Sequence, residues 1–154
     1  MATRSTIALE FADGTVQQVY CHWDGYLDHN GKILFQHYVD PFKTRELIDL
    51  GDVSSLRPDI GIKHAFSQFE LPKEEVEAYT KLTEDMCTFY GRDRGETGAS
   101  AKKFKDFADY VANHQYEEYE YILRKDGNWY VSKYNGTYAL LKDALEQEAM
   151  KETA

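Results

Sequence analysis

Two stretches of alternating residues near the N-terminus, joined by a tight-turn signal, constrain the fold of this chain most. Residues 6–11 alternate as a strand, an Asp-Gly turn follows, and residues 15–22 return as a second strand. Successive strand residues point to opposite faces, which predicts Val19, Cys21 and Trp23 on a core face. The opposite face, expected to be solvent or a site wall, carries Gln18, Tyr20, His22 and Asp24.

The rest of the chain interleaves helices with short strands. Helical spacing and capping signals predict helices over residues 30–38, 41–50, 73–84, 101–113 and 138–148. A short buried strand is expected at residues 86–90, and residues 117–124 and 128–133 form a second hairpin. Asn135-Gly136-Thr137 matches a glycosylation sequon, which we interpret as a turn. The pattern predicts a single α+β domain over residues 1–154, with a mostly antiparallel sheet packed against four or five helices.

The charge of the chain restricts its partners. The 154 residues carry 18 basic and 27 acidic side chains, a net charge of −9, with no basic cluster. Direct nucleic-acid binding is disfavoured because phosphate contacts need clustered Lys and Arg. An acidic soluble surface is favoured over imitation of nucleic-acid charge. No apolar stretch approaches the ~20 residues that cross a membrane. With no signal-peptide pattern, we expect a cytoplasmic protein with reduced cysteines.

The end of the second strand is the densest polar run, Tyr20-Cys21-His22-Trp23-Asp24-Gly25-Tyr26. Its candidate binding residues are His22, Trp23, Asp24 and Tyr26. Zinc ligation by His22 and Asp24 with Asp28, His29 or His37 is weighed, but the spacing does not favour a metal. Cys21 and His22 diverge on a strand, so Cys21 is predicted to be core and not a nucleophile. We therefore expect no catalytic set, no metal and no cofactor.

A second polar run, residues 90–96, follows the short buried strand. Arg92 and Arg94 stand one residue apart between glycines, a pattern that can fork around a phosphate or carboxylate, and Glu96 is the third candidate. The competing interpretation is a solvent loop whose arginines pair with neighbouring carboxylates. Loops at sheet ends commonly carry function, which favours a site.

The second hairpin and its flanks are rich in tyrosine, a residue that interfaces favour. Tyrosine is also an ordinary strand former, so part of the set is expected in the core. The predicted partner surface is Tyr116, Tyr119 and Glu120.

Several segments together resemble a family of small uncharacterised bacteriophage and prophage proteins. They are Thr3-Arg4-Ser5-Thr6-Ile7, the Asp13-Gly14 turn, residues 20–26, residues 47–52, Arg92-Asp93-Arg94-Gly95-Glu96 and the Asp126-Gly127-Asn128-Trp129 turn. The family has no established activity, so the resemblance implies no catalytic residues. It implies a phage accessory protein that acts in the bacterial host cytoplasm.

Two functions follow from these observations as expectations. The first is a non-enzymatic phage accessory protein, for host takeover or anti-defence, that binds a host bacterial protein. The alternative is a binding protein or enzyme for a nucleotide or other small anion. In that alternative His22 and Asp24 are acid/base or metal-positioning groups, and Arg92 and Arg94 hold the anion. Trp23 or Tyr26 stacks on the ligand, and the two polar runs meet in one pocket.

Overall fold

The computed structural model describes residues 2–134 and 136–153, which form eight strands and five α-helices. The strands are β1 (Ser5–Glu10), β2 (Val16–Cys21), β3 (Val53–Ser55), β4 (Thr88–Phe89), β5 (Lys102–Phe104), β6 (Tyr119–Leu123), β7 (Trp129–Lys133) and β8 (Ala139–Leu140). The helices are α1 (Lys32–His37), α2 (Pro41–Asp49), α3 (Val76–Thr83), α4 (Phe107–Asn113) and α5 (Leu141–Thr153). A π-helical turn over Leu27–Gly31 leads into α1, and 3-10 turns over Gln68–Glu70 and Lys73–Glu75 precede α3.

The strands form one sheet in the order β4-β3-β2-β1-β6-β7-β8, and β5 pairs with β2 beside this path. The α+β prediction is confirmed. The prediction of a mostly antiparallel sheet is only partly right, because the sheet is mixed. Two of the pairings among the described residues, β1 with β6 and β2 with β3, are parallel. Both join strands that are distant in sequence, so no turn signal could reveal them.

Both predicted hairpins are present, and local turn chemistry explains them. β1 pairs with β2 from Ser5↔Cys21 to Glu10↔Val16. In the turn between them, the Asp13 carboxylate accepts hydrogen bonds from the Thr15 amide at 3.0 Å and from its hydroxyl at 2.6 Å. Gly14 adopts a φ of +91°, which side chains disfavour. The second hairpin pairs β6 with β7 in antiparallel register.

The sheet is covered on both faces. Helices α1, α2 and α5 pack on one face and contribute Leu34, Leu47, Ile48 and Leu141 to the main core. Helix α4 packs on the other face, where Tyr110 joins Ala8, Val16, Phe104 and Ile122 in a second core. All six residues of β1 are buried, as expected for a strand covered on both sides.

Three elements differ from the sequence prediction. Strand β8 occupies the beginning of the helix predicted over residues 138–148, so α5 begins only at Leu141. Residues 101–113 are not one helix, because β5 occupies their first part and pairs with β2 at Val16↔Phe104. Helix α4 begins only after Asp106, whose carboxylate caps it by accepting from the Asp109 amide at 2.7 Å. Strand β3 lies between the helices predicted over residues 41–50 and 73–84, where no strand was predicted. The sequon residue Asn135 lies outside the described residues.

A long excursion separates β3 from β4, and we call residues 61–85 the β3–β4 segment. The two ends of the segment are joined by a parallel bridge between Asp59 and Met86. The backbone N–H of Asp59 donates to the Asp85 carbonyl at 2.9 Å, and that of Cys87 donates to the Asp59 carbonyl at 2.8 Å. Gly61 has a φ of +72°, and a side chain there would meet Met86 Sδ at 2.3 Å. No residue of the segment is buried, although it contains α3 and both 3-10 turns.

Candidate functional site

The first polar run begins where β2 ends. Beyond Cys21 the chain keeps pairing with β3, since the His22 and Trp23 amides donate to Val53 and Ser54 carbonyls, each at 3.0 Å. Val19 and Cys21 are buried, as predicted. The core prediction for Trp23 is wrong: its side chain is 44% exposed. Alternation ends with the strand, and the following turn directs the indole away from the core.

That turn is held by close backbone packing. Asp24 has a left-handed φ of +57°, and its backbone carbonyl accepts a hydrogen bond from the backbone N–H of Asn30 at 3.2 Å. The Gly25 amide donates to the Thr3 carbonyl at 2.8 Å. A Cβ on Gly25 would lie 2.7 Å from the Cβ of Ser5, so only glycine allows this approach. The backbone packing of this turn therefore explains why residue 25 of the first polar run is a glycine.

Buried Asn30 links the turn to the core. Its amide nitrogen lies 3.3 Å from Ser5 Oγ, Cys21 Sγ and the Trp23 carbonyl oxygen. Its amide oxygen lies 2.9 Å from Nδ1 of His29. The backbone of Trp23 and the ring of His29 are thus fixed by a single side chain.

His22 lies on the opposite face of β2 from Cys21, as predicted. Its Nδ1 is 2.7 Å from the Tyr20 hydroxyl, and its ring packs edge-on against Trp23 with centroids 4.7 Å apart. Burial raises the pKa of Tyr20 to about 12, so the phenol keeps its proton at neutral pH. The hydrogen bond with Tyr20 orients the imidazole beside the indole.

The second polar run is organised by Asp93, which sequence reasoning did not single out. Its buried carboxylate accepts from the His64 amide at 3.0 Å, from the Phe89 amide at 2.8 Å and from Arg92 Nε at 3.0 Å. A buried carboxylate requires such partners, because burial without them is costly. Asp93 therefore ties β4 to the base of the β3–β4 segment.

Arg92 is committed to the same scaffold. Besides Asp93, its guanidinium donates to the carbonyls of Ile60, Gly61 and Cys87 at 3.0, 3.2 and 3.0 Å. It also lies over the Phe89 ring, 4.7 Å from the centroid. These bonds leave little of the guanidinium to hold a ligand, so its observed role is structural.

Arg94 and Glu96, in contrast, are exposed. Arg94 Nε lies 3.5 Å from the Glu96 carboxylate. The Arg94 guanidinium also lies over the ring of Phe66, 5.0 Å from its centroid. Phe66 belongs to the β3–β4 segment, so Arg94 flanks that segment.

A cleft of about 560 Å³ lies between the β3–β4 segment and the sheet. Its sheet side includes Trp23, Ser54, Arg57 and Thr88, and its segment side includes Phe66, Tyr79 and Glu84. A smaller pocket of about 230 Å³ is lined in part by Tyr20, Asp52, Tyr90 and Glu96. The ring of Tyr90 lies 5.5 Å from that of Phe66, centroid to centroid, so Tyr90 stands between the two cavities.

The two polar runs therefore meet only in part. Trp23 lines the larger cleft, and Arg94 packs on a ring that lines it. Glu96 and Tyr20 share the smaller pocket. The described residues that line these two cavities do not include His22, Asp24, Tyr26 or Arg92. Tyr26 instead lies near the ring of His29, 6.1 Å between centroids.

Sequence reasoning missed Arg57 as a cleft residue. Its guanidinium Nη1 lies 3.2 Å from His29 Nε2 and 3.0 Å from the Leu56 carbonyl oxygen. His29 is 28 positions away in the chain, so no local spacing could indicate the pairing. His29 had been weighed only as a metal ligand.

The cysteines and the weighed metal ligands do not form a reactive centre. Cys21 and Cys87 are free and buried, and burial raises the pKa of Cys21 to about 12 and also raises that of Cys87. Such thiols stay protonated and unreactive. Among residues 2–134 and 136–153, no group of three or more His, Cys, Asp or Glu side chains is arranged to hold a metal ion.

The predicted partner surface is divided by the sheet. Tyr119 stacks with Tyr121 on the main-core side, whereas exposed Tyr116 packs against His114 on the α4 side. Glu120 is completely buried and hydrogen-bonded to His114, so it cannot belong to an exposed surface. Alternation explains this, because Glu120 occupies the β6 position that faces α4.

Comparisons with known proteins leave the chain without a family assignment. Among the described residues, no helix combines the length and apolar character needed to cross a lipid bilayer.

The resemblance to phage and prophage proteins stays a prediction from sequence. No protein-family model matches the chain, and neither a curated protein nor a solved structure matches it significantly.

Proposed function

We propose that this chain is a non-enzymatic binding protein that engages a host protein through the β3–β4 segment. The observation that carries the proposal is the exposure of large apolar side chains along that segment. Phe69 is 90% exposed, Ile62 65% and Leu82 54%. Solvent-exposed apolar side chains of this size are the groups that a protein partner buries favourably.

The segment is held in place at its base, which favours binding. The His64 amide is bonded to buried Asp93, and the His64 ring lies 3.0 Å from the Cys87 carbonyl oxygen. The Tyr79 hydroxyl donates to the Phe66 carbonyl at 3.3 Å. A preorganised surface loses less conformational entropy when it binds.

The charge and the sequence resemblance define the expected setting. A net charge of −9 attracts partners with basic surfaces and accelerates their association at low salt. The resemblance to phage proteins supports an accessory role, in host takeover or anti-defence, in the bacterial cytoplasm. Arg94, which packs on Phe66 of the segment, is a residue of the predicted site that a partner would contact.

The test is affinity capture from a bacterial lysate with the tagged chain. The wild-type protein is compared with a Phe69→Ser, Leu82→Ser double variant, and with Phe42→Ser as the matched control. Phe42 is 81% exposed on α2, outside the segment. None of these side chains is buried, so all three proteins should fold, which a thermal melt would verify.

We expect a stoichiometric host protein that wild type and Phe42→Ser retain and the double variant loses. Anchor residues at protein interfaces each contribute about 1–3 kcal/mol, so the double loss should abolish capture. Equal capture by all three proteins would show that the β3–β4 segment is not the interface. Capture that is lost only in Phe42→Ser would move the interface to α2.

A small-molecule site is the second candidate, and the cleft beneath the segment is the observation that favours it. The original set of His22, Asp24, Arg92 and Arg94 does not line this cleft. Trp23 and Arg57 do. Ligand pockets are commonly about 300–1,000 Å³, a range that includes this cleft.

A further inference from the structure

The cleft contains a cation that is oriented but not neutralised. Arg57 lines the cleft and forms no ion pair with a carboxylate among the described residues. Its Nη1 is positioned by His29, whose other ring nitrogen is held by Asn30. An oriented, unpaired guanidinium in an acidic protein is suited to bind an anionic ligand group.

An aromatic surface stands in the same cleft, and Asn30 holds its backbone. Asn30 donates to the Trp23 carbonyl, and His29 is its neighbour in the chain. Trp23 is 44% exposed, and the edge of the His22 ring packs against it. An exposed indole that packs against one neighbouring ring is a platform for stacking a flat ring.

Glu84 supplies the third chemical group of the cleft. A carboxylate accepts hydrogen bonds from neighbouring hydroxyls, as acidic residues do with ribose in dinucleotide-binding folds. Ser54 and Thr88 add hydroxyl groups on the sheet side. A flat ring, a diol and an anionic group occur together in a nucleotide.

We propose that the cleft binds a nucleoside monophosphate. The base stacks on Trp23, the phosphate binds Arg57, and Glu84 accepts from the ribose hydroxyls. His29 is a positioning residue, because it acts through Arg57. The site lies beneath the β3–β4 segment, whereas the proposed protein interface is formed by side chains exposed on that segment, so each can exist without the other.

The test is isothermal titration calorimetry of the full chain with AMP, with adenosine and ribose 5-phosphate as probes that lack the phosphate or the base. Arg57→Gln removes the cation, and Arg45→Gln is its matched control on α2, 63% exposed at the side chain. Trp23→Ala is a second variant, at a residue that is 44% exposed. Tryptophan fluorescence locates the ligand, because Trp129, the other tryptophan, is buried.

We expect saturable AMP binding with quenching of Trp23 fluorescence, and at least tenfold weaker binding of each partial probe. Arg57→Gln and Trp23→Ala should each weaken AMP binding by about tenfold, and Arg45→Gln should leave it unchanged. The Phe69→Ser, Leu82→Ser variant should bind AMP normally, which separates this proposal from the protein interface. No saturable binding at about 1 mM AMP would overturn the proposal. So would equal affinity for adenosine, or AMP binding that neither cleft variant weakens.

Discussion

Replacing Glu120 by glutamine should change how the stability of the fold depends on pH. The Glu120 side chain is completely buried beneath α4, and one carboxyl oxygen has no hydrogen-bond partner among the described residues. The other oxygen bonds to Nε2 of His114, whose Nδ1 lies 2.6 Å from the Tyr110 carbonyl oxygen. A carbonyl oxygen can only accept, so Nδ1 of His114 carries a proton and Nε2 of the neutral ring does not. The hydrogen bond between Nε2 and Glu120 then needs a proton on the Glu120 carboxyl group, which is therefore neutral.

The magnitude follows from proton linkage. Burial, with a smaller contribution from the negative charge of Glu117, raises the pKa of Glu120 from 4.5 to about 7. The folded state thus binds this proton more tightly than the unfolded chain. The stability that Glu120 contributes is complete below about pH 4.5 and is lost as the pH rises through about 7. At about 1.4 kcal/mol per pKa unit, the loss is about 3 kcal/mol.

Glu120→Gln removes the titrating group but keeps an N–H donor to His114. We expect the free energy of unfolding of the variant, relative to wild type, to rise by about 3 kcal/mol between about pH 4.5 and 8.5. Burial lowers the pKa of His114, which costs stability as the pH falls through 6.5.

The assay is urea denaturation across this pH range, followed by tryptophan fluorescence. Glu74→Gln, at an exposed position in a 3-10 turn, is the matched control and should show no such trend. A relative stability that falls with pH would refute the reasoning. It would mean that Glu120 is ionised in the fold and pairs with a charged His114.

Three further predictions concern the scaffold of the site. Gly25→Ala should lower the free energy of unfolding by about 1–3 kcal/mol in a denaturant titration, because its Cβ would overlap β1. No loss of stability would show that the turn can move away. Asp93→Ala should cost about 3 kcal/mol by the same titration, since it leaves buried donors of His64, Phe89 and Arg92 unpaired. A cost under about 1 kcal/mol would show that water replaces the carboxylate. Both cysteines should resist a thiol reagent at neutral pH until urea unfolds the chain, and fast modification of the folded protein would contradict their burial.

The sequence predicted what local signals determine. The two hairpins, the Asp40-capped helix α2 and the short strand at Thr88–Phe89 all follow from turns, caps or apolar runs within a few residues. Strands β3 and β5 carry no such signal. Each is three residues long and is extended because it pairs with the edge of β2. This is a tertiary effect that overrides local propensity.

The candidate site shows the same division. The sequence analysis selected the Trp23 and Arg94 regions as dense polar runs, and the structure places both beside the β3–β4 segment. Arg57 was not found, because its partner His29 is distant in sequence. Glu120 was assigned to the surface because charged residues are usually exposed, and its burial depends on how α4 packs.

Hydrogen–deuterium exchange of the chain, free and in complex with the captured host protein, shows whether the β3–β4 segment is the interface. Exchange reports which backbone amides a partner protects. If the β3–β4 segment is the interface, residues 61–85 are protected, and the amides around Phe69 and Leu82 are protected most. Protection confined to α4 and the second hairpin, with residues 61–85 unchanged, would contradict it.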